Sequence, residues 1–433
     1  MYERGKFMDL NYINLKYKPS KTDLIAEYLT EPNNCSIEEA AENIAKESSI
    51  GTWTELSTIN KNIAKRLKPN VFYINKKQNL IKIAYPYELF EFGNMPQILS
   101  SIGGNIFGMK IIKTLRLEDI QFPKIMMNHF KGPKFGIKGI RKITKTKKRP
   151  LIGTIIKPKL GLNAKEHAQC AFNAWVGGID IVKDDENLTS MTFNNFEKRI
   201  TETIKLKEKA EKMTGEKKIY MPNITAETET MKKRLKYVYD SGNEYIMMDI
   251  LTAGMSGLQT VRSIIEDYPL VIHAHRAGHA ALTRNSKHGI SMLSIAKIAR
   301  LIGVDQLHIG TADVGKMEGS DFETQEIEDE IEQKIIRKKG HILEQDWHNI
   351  KPVFAVASGG LHPGGLPLII KRLGYNIVCQ MGGGVHGHPN GTLAGAKAAR
   401  QALEAVMKGK KLEDYAQNHI ELMLAIKKWG IKE

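Results

Sequence analysis

Apolar and polar positions along the chain fall into two regimes. Up to about residue 130 the pattern is mixed. Ser36 stands three residues before Glu39 and just ahead of apolar Ala40, Ile44 and Ala45, the spacing of a helix start whose first free N–H groups are satisfied by side chains. Val71-Phe72-Tyr73-Ile74 and Leu80-Ile81-Lys82-Ile83 flank Asn75-Lys-Lys-Gln-Asn79, which predicts a hairpin. A small α+β layer is expected here. From residue 151 onward short apolar runs recur, with helical patterns between them. The runs are Leu151–Ile156, Ile179–Val182, Ile219–Pro222, Tyr245–Met248, Leu270–His273, Gln306–Ile309, Val353–Ala357 and Ile377–Gln380. Strands alternating with amphipathic segments predict a parallel sheet. Eight such units over about 280 residues predict a (β/α)8 barrel. A doubly wound sheet is the alternative; it needs a reversal of strand order that the pattern does not disclose.

The expected organisation is an N-terminal α+β domain over 1–130, a basic connector over 131–150 and a catalytic barrel with C-terminal helices over 151–433. Lys131 to Arg149 carries nine Lys/Arg in nineteen residues. With Phe135 as its one aromatic, it reads as a solvated connector rather than an RNA face, which interleaves aromatics with its cations. Glu318 to Glu332 carries eight acids in fifteen residues, followed by Lys334, Arg337, Lys338 and Lys339. That order suits an exposed helix with acids at its start and bases at its end.

Composition narrows the class. Of the 433 residues, 42% are hydrophobic and 26% charged, the balance of a soluble globular protein. There is no run of 18 apolar residues to cross a membrane, and the first twenty residues lack the apolar stretch of a signal peptide. Cys35, Cys170 and Cys379 lie far apart, without metal-ligand spacing, and read as reduced thiols of a cytoplasmic protein. The net charge of +16 admits nucleic acid, anionic lipid or phosphorylated small molecules as partners.

Candidate chemistry clusters just after the predicted strands, which in a barrel share one face. Lys157 and Lys159 follow the first strand; two lysines gathered there suit an anion, or an acid–base role if desolvated, against a plain exposed pair. Lys183-Asp184-Asp185-Glu186 ends the second. Its carboxylates suit a hard cation such as Mg2+, or equally an internal salt bridge, and an ammonium is no ligand for Mg2+. Asn223 follows the third strand. His273, His275 and Arg276 end the fifth, where histidine can shuttle protons and arginine can grip a phosphate, although a lone histidine here is as readily a satisfied core residue. His308 lies on the sixth, followed by Gly310 and Thr311. Ser358-Gly359-Gly360 and Gly382-Gly383-Gly384 offer bare N–H groups to an anion after the seventh and eighth. Val314-Gly315-Lys316-Met317-Glu318-Gly319 reads as a mobile lid carrying a cation, or as an ordinary turn.

Together these segments resemble the large subunits of ribulose-1,5-bisphosphate carboxylase/oxygenase (RuBisCO). The resemblance runs from about residue 10 to 410 through Gly51-Thr52-Trp53, Gly104-Asn105-Ile106-Phe107-Gly108, Leu115–Asp119, Ile156–Leu162, Gly177–Asn187, His273–His279, Gly315–Gly319, Ala357–Gly360 and Gly382–Gly384 with Gly387-His388-Pro389. It implies an α/β protein in which a ferredoxin-like α+β domain precedes a TIM barrel. It also implies a homodimer or assembly of dimers, in which Glu47, Thr52, Trp53 and Asn105 of one chain complete the barrel mouth of the other. The family's lysine at the Lys183 position reacts with CO2, so that carbamylated Lys183, Asp185 and Glu186 would hold one Mg2+. The carbamate would take the proton that starts enolisation, Lys157 would protonate the final carbanion with support from Lys159, and His275 would assist proton transfers. Lys316 would close over CO2 and pair with Glu47. Arg276, His308 and Ser358 would hold one end of the substrate and its phosphate; Thr52, Trp53, Gly360, Gly382 and Gly383 would hold the phosphate at the other, and Gly359 would also bind substrate. The implied reaction adds CO2 to ribulose-1,5-bisphosphate and yields two 3-phosphoglycerates, with oxygenation by O2 as a side reaction.

Departures from plant-type chains point to the archaeal, non-photosynthetic branch. The stretch from His308 to Lys316 is one residue longer, the tail is short, Ile155 stands where many members have Thr, and Ala277-Gly278 replaces Ala-Met. That branch implies a role in breakdown of nucleoside monophosphates such as AMP, with no small subunit required and no nucleic-acid or membrane partner. The other functions weighed are a RuBisCO-like enolase or isomerase acting on another sugar phosphate, which would be expected to lose several of Lys157, Lys316 and Glu47, and a non-enzymatic basic binding protein.

Overall fold

The computed structural model describes residues 10–52, 54, 56, 58–316 and 321–432, with the side chain of Asp321 not included. It divides into two compact units, one of residues 1–131, 278–302 and 333–350, the other of residues 132–277, 303–332 and 351–433.

The first unit is built on four strands, β1 (Leu24–Pro32), β2 (Asn70–Asn75), β3 (Leu80–Tyr85) and β4 (Ile112–Gln121), in the order β4-β1-β3-β2. The pairs β1/β3, β1/β4 and β2/β3 are antiparallel, and the helices Ile37–Glu47 and Met95–Ile102 fall between strands in the ferredoxin-like sequence. The helix start read from Ser36 is present: its side chain accepts from the Glu39 N–H at 3.1 Å. The β2–β3 hairpin turns as expected, with Asn79 in the left-handed region that asparagine tolerates (φ 54°). The later segments add to this unit. Gly289–Ile290 pairs with β4, and the helix Met292–Ile302 places Lys297 Nζ 2.6 Å from the buried Asp119 carboxylate. Asp119 also accepts from the Leu343 N–H, and Gln345 both accepts from the Phe122 N–H and donates to its carbonyl.

The second unit is the barrel. Its strands are β5 (Leu151–Ile155), β6 (Ile181–Lys183), β7 (Ile219–Met221), β8 (Tyr245–Asp249), β9 (Val271–His275), β10 (Gln306–Gly310), β11 (Phe354–Ser358) and β12 (Ile377–Gln380). All eight predicted strands are present and run parallel in the order β7-β6-β5-β12-β11-β10-β9-β8. The bridge between Asn223 and Met247 joins β7 to β8 and closes the ring, which removes the doubly wound alternative. Alternation along each strand sends Leu151, Ile181, Ile219, Met221, Tyr245, Met247, Val271, Phe354, Val356 and Val378 into one buried core. Each such side chain contributes roughly 1.5–3 kcal/mol by leaving water.

Two expectations are corrected. Lys131–Arg149 is not a solvated connector throughout: Gly136–Thr144 is a helix whose Ile140 is fully buried in the barrel core, with Phe135, Ile137 and Ile143 packed against it. Basic residues at Lys138, Arg141 and Lys142 concealed an apolar stripe at helical spacing. The acidic helix begins at Asp321 and ends at Glu332, before the basic residues, and Thr324, Ile327, Glu330 and Ile331 are buried, so it is half-buried rather than exposed.

Candidate functional site

The barrel's strand ends gather the predicted polar residues. On β6, alternation that puts Ile181 in the core also turns Lys183 inward, where it is fully buried. Its ammonium donates to the Asp184 carbonyl at 2.8 Å and lies 3.9 Å from Glu186 Oε2. Burial pushes the Lys183 pKa down from the usual lysine value, against Glu186, Asp249, Asp185 and Asp184, which favour the charge.

The three adjacent carboxylates separate into two roles. Asp184 is consumed by the fold. It receives Arg199 Nε at 3.1 Å, the Tyr220 hydroxyl at 2.8 Å and the Asn223 N–H at 3.0 Å, and His167 Nε2 lies at 3.1 Å. Burial alone would raise its pKa, but Arg199 and these donors hold it well below the carboxylate range. Asp185 and Glu186 meet the lysines instead. Lys157 Nζ is 2.5 Å from Asp185 Oδ2, and Lys159 Nζ is 3.0 Å from Glu186 Oε1 and 3.9 Å from Asp185 Oδ1. Glu186 has its pKa lowered to about 2: burial opposes ionisation, and Lys183 and His275 overcome it. Asn223 Nδ2 donates to the carbonyls of Asp185 and Glu186, fixing this loop.

On β9 and β10, three imidazoles interlock. His273 Nδ1 lies 2.8 Å from Gln306 Oε1, and its Nε2 lies 2.8 Å from His308 Nε2. The His275 and His308 rings meet edge-on, with centroids 4.7 Å apart. His275 Nδ1 sits 2.7 Å from Asp249 Oδ1 and its Nε2 sits 3.8 Å from Glu186 Oε2. Burial and Lys183 lower the pKa of both His273, to about 3, and His275; burial and the neighbouring imidazoles hold His308 well below the usual histidine value. A neutral His275 with Asp249 on one nitrogen presents the other to the mouth as a base. Asp249 was missed in the sequence although it too ends a barrel strand, because the predicted fourth strand stopped one residue short of it. Burial lowers the Arg276 pKa to about 10, with Glu323 favouring its charge.

The glycine turns come together with Lys316. Its N–H donates to the Gly359 carbonyl at 2.9 Å, and a Cβ on Gly360 (φ +80°) would lie 2.8 Å from Lys316 N. A Cβ on Gly382 would lie 3.1 Å from Lys157 Cε, whereas one on Gly383 would meet open space. Ser358 ends β11 beside Gln380 of β12. Met317, Glu318 and Gly319 of the expected lid lie outside the described residues.

In the first unit, Glu47, Thr52 and Asn105 line one cleft of about 460 Å³ with Asn43 and Lys46. Trp53 lies outside the described residues. Among the described residues, no helix is long and apolar enough to cross a membrane, and no group of three His, Cys, Asp or Glu side chains is arranged to hold a metal. Asp185 and Glu186 set two carboxylates beside the buried Lys183 amine.

The chain matches two family models: the ribulose bisphosphate carboxylase large chain N-terminal domain over residues 11–126 and the catalytic domain over residues 136–429. It is 51% identical to the ribulose bisphosphate carboxylase of Methanosarcina mazei over 98% of this chain and 99% of that one, and 51% identical to that of Methanocaldococcus jannaschii over 97% and 100%. Among solved structures, it superposes on the dimeric archaeal Rubisco of Hyperthermus butylicus with a TM-score of 0.92 at 47% identity, covering 97% of this chain and 99% of that one. It superposes on the octameric enzyme of Pyrococcus horikoshii with a TM-score of 0.90 at 47% identity, covering 98% and 97%.

Proposed function

Because the chain belongs to the ribulose bisphosphate carboxylase large-chain family, we propose that it catalyses carboxylation of ribulose-1,5-bisphosphate with CO2 and water to two 3-phosphoglycerates. The observation that carries this reading is the buried Lys183 amine beside Asp185 and Glu186. Carbamylation needs a neutral amine, and burial shifts Lys183 toward that form. The ammonium first gives up one proton; addition of CO2 to the neutral Nζ with loss of a second then replaces a cation that repels Mg2+ by an anionic oxygen donor. Carbamylated Lys183, Asp185 and Glu186 then fit a hard divalent cation, for which oxygen ligands are required. When bound, Mg2+ would act as a Lewis acid on the developing negative charge of the enediolate.

The protein's own groups do the rest. The Lys183 carbamate accepts the proton whose removal begins enolisation, and His275, held by Asp249, relays protons during hydration. Lys157 donates to the final carbanion, with Lys159 supporting it. Arg276, His308, Ser358 and Gly359 hold one end of the substrate. Gly360, Gly382 and Gly383 present N–H groups to the other phosphate, and Lys316 covers the incoming CO2. Glu47, Thr52, Trp53 and Asn105 act on the partner's barrel in a homodimer or assembly of dimers, consistent with the dimeric and octameric relatives. We place the reaction in the cytoplasm, consuming bisphosphate derived from nucleoside monophosphates, with O2 as a competing substrate.

The test is incorporation of 14CO2 into acid-stable product, anaerobically, after preincubation with bicarbonate and Mg2+. Activation-dependent 3-phosphoglycerate formation that Lys183→Ala abolishes is the expected result. No incorporation by folded, dimeric wild type over a wide temperature range would sink the reading.

A further inference from the structure

Behind Lys157 lies a polar cluster that the mechanism above does not use. The imidazole of His386, at the end of the short helix Gly383–His386, is part-buried. Its Nε2 lies 3.0 Å from Thr154 Oγ1, and the Thr154 hydroxyl donates to the Met381 carbonyl at 2.9 Å. With that hydroxyl proton committed, Nε2 carries the ring proton and donates to Thr154. Nδ1 is then an acceptor, 3.1 Å from Thr392 Oγ1 and 3.5 Å from Cys170 Sγ. Cys170 lies beside the Lys157 backbone. The contacts form a circuit: Cys170, His386, Thr154, Met381. It ties Thr154, at the end of β5, to residues 381–386 beyond β12.

We propose that His386 is a positioning residue for Lys157, setting the reach of its ammonium over Gly382 toward Asp185. The proposal rests on the functional reading above for its kinetic consequence, but not for its geometric one. Lys157 Cε passes 3.1 Å from where a Gly382 side chain would begin, so any slip between the two strand ends is transmitted to Nζ. An imidazole that stays neutral joins the segments without adding a second cation beside Lys157. Glutamine can reproduce both contacts, donating through its amide nitrogen and accepting through its oxygen; leucine fills the space and makes neither.

The test compares full-length wild type with His386→Leu and His386→Gln, activated with CO2 and Mg2+. The expected result for leucine is a fall in kcat of about tenfold or more with KM within about twofold, while solvent proton exchange into the bisphosphate, which precedes the step assigned to Lys157, persists. Glutamine should recover most of the turnover. Unchanged turnover in the leucine variant, parallel loss of exchange and turnover, or glutamine no better than leucine would each overturn the proposal. Thr154→Val cuts the same circuit and takes the place of leucine should that variant not fold. A second readout needs no activity: 13C-methyl NMR of reductively dimethylated protein, with the Lys157 signal assigned through Lys157→Arg. Its chemical shift at fixed pH should move in His386→Leu and return in His386→Gln. A signal indifferent to both would overturn the placement even in an active enzyme, and a shift in a wild type without carboxylase activity would uphold the placement while removing the carboxylase reading.

Discussion

Lys157 Nζ and Asp185 Oδ2 meet at 2.5 Å because β5 and β6 are parallel and pair Ile155 with Lys183. Two residues beyond each strand, the register delivers a lysine to a carboxylate. Lys157→Met leaves the fully buried Asp185 without its nearest cation and the reaction without its proposed acid. Turnover should fall by about 10²- to 10⁴-fold, the usual range for loss of a general acid. Lys157→Arg should keep the fold yet not restore the rate. Steady-state kinetics beside circular dichroism checks both.

Gly360 and Gly383 should respond oppositely to alanine. At Gly360 the positive φ and the 2.8 Å approach to Lys316 make a side chain intolerable, so Gly360→Ala should displace Lys316 and depress kcat/KM. At Gly383 a methyl meets nothing within 4 Å, so Gly383→Ala should leave Tm unchanged. A rise in bisphosphate KM of about tenfold there would then report crowding of a bound phosphate rather than of protein.

The surroundings of Asp184 predict a stability effect. Tyr220→Phe removes one of its donors and should cost about 1–3 kcal/mol. Arg199→Leu strands a buried charge and should cost about 3–5 kcal/mol. Denaturant unfolding of the two variants should rank them in that order.

Acid sensitivity should come first from histidines. Burial lowers His273 to about 3 and His386 to about 4, so the unfolded chain binds protons below its ordinary histidine value near 6.5 while the folded chain does not. Stability is therefore full above that value and falls as pH drops through the window, by up to about 1.4 kcal/mol per pH unit for each such group. Glu186, lowered to about 2, loses its contribution only at lower pH, below the ordinary carboxylate value. Tm measured against pH from 7 downward should show this slope, and His386→Gln should flatten it.

If active sites are shared between subunits, Glu47→Gln and Lys183→Ala chains, each inactive alone, should complement. Random reassociation of equal amounts should restore about a quarter of wild-type activity, since half the dimers are mixed and each has one intact site. No recovery in verified mixed dimers would remove Glu47 from the shared site.

The barrel was legible because each strand is a short apolar run closed by a polar residue, as in Ile181-Val182-Lys183. The closing contact between Asn223 and Met247 was not, since pairing between distant strands leaves no local periodicity. Lys183, Asp185 and Glu186 stood out as a group, but nothing in their order told that Asp184 faces Arg199 and Tyr220; that division follows from alternation at a strand end. Asp249 and His386 escaped because each serves another residue: one orients His275, the other bridges two strand ends, and single polar residues carry no spacing signal. The helix Gly136–Thr144 was obscured by its own lysines, whose long stems let a basic segment cover an apolar floor.

The attachment of Asp119 to Lys297 and Leu343 has a consequence for the order in which the chain acquires structure. During synthesis the ferredoxin-like sheet can form its hydrogen-bonded ladders early, but the carboxylate at the end of β4 has no buried cation until residue 297 leaves the ribosome. Its last donor arrives only with residue 343. The first-made part of the protein is therefore among the later parts to be completed, and a nascent chain arrested between β4 and residue 297 should remain open to proteolysis at this edge.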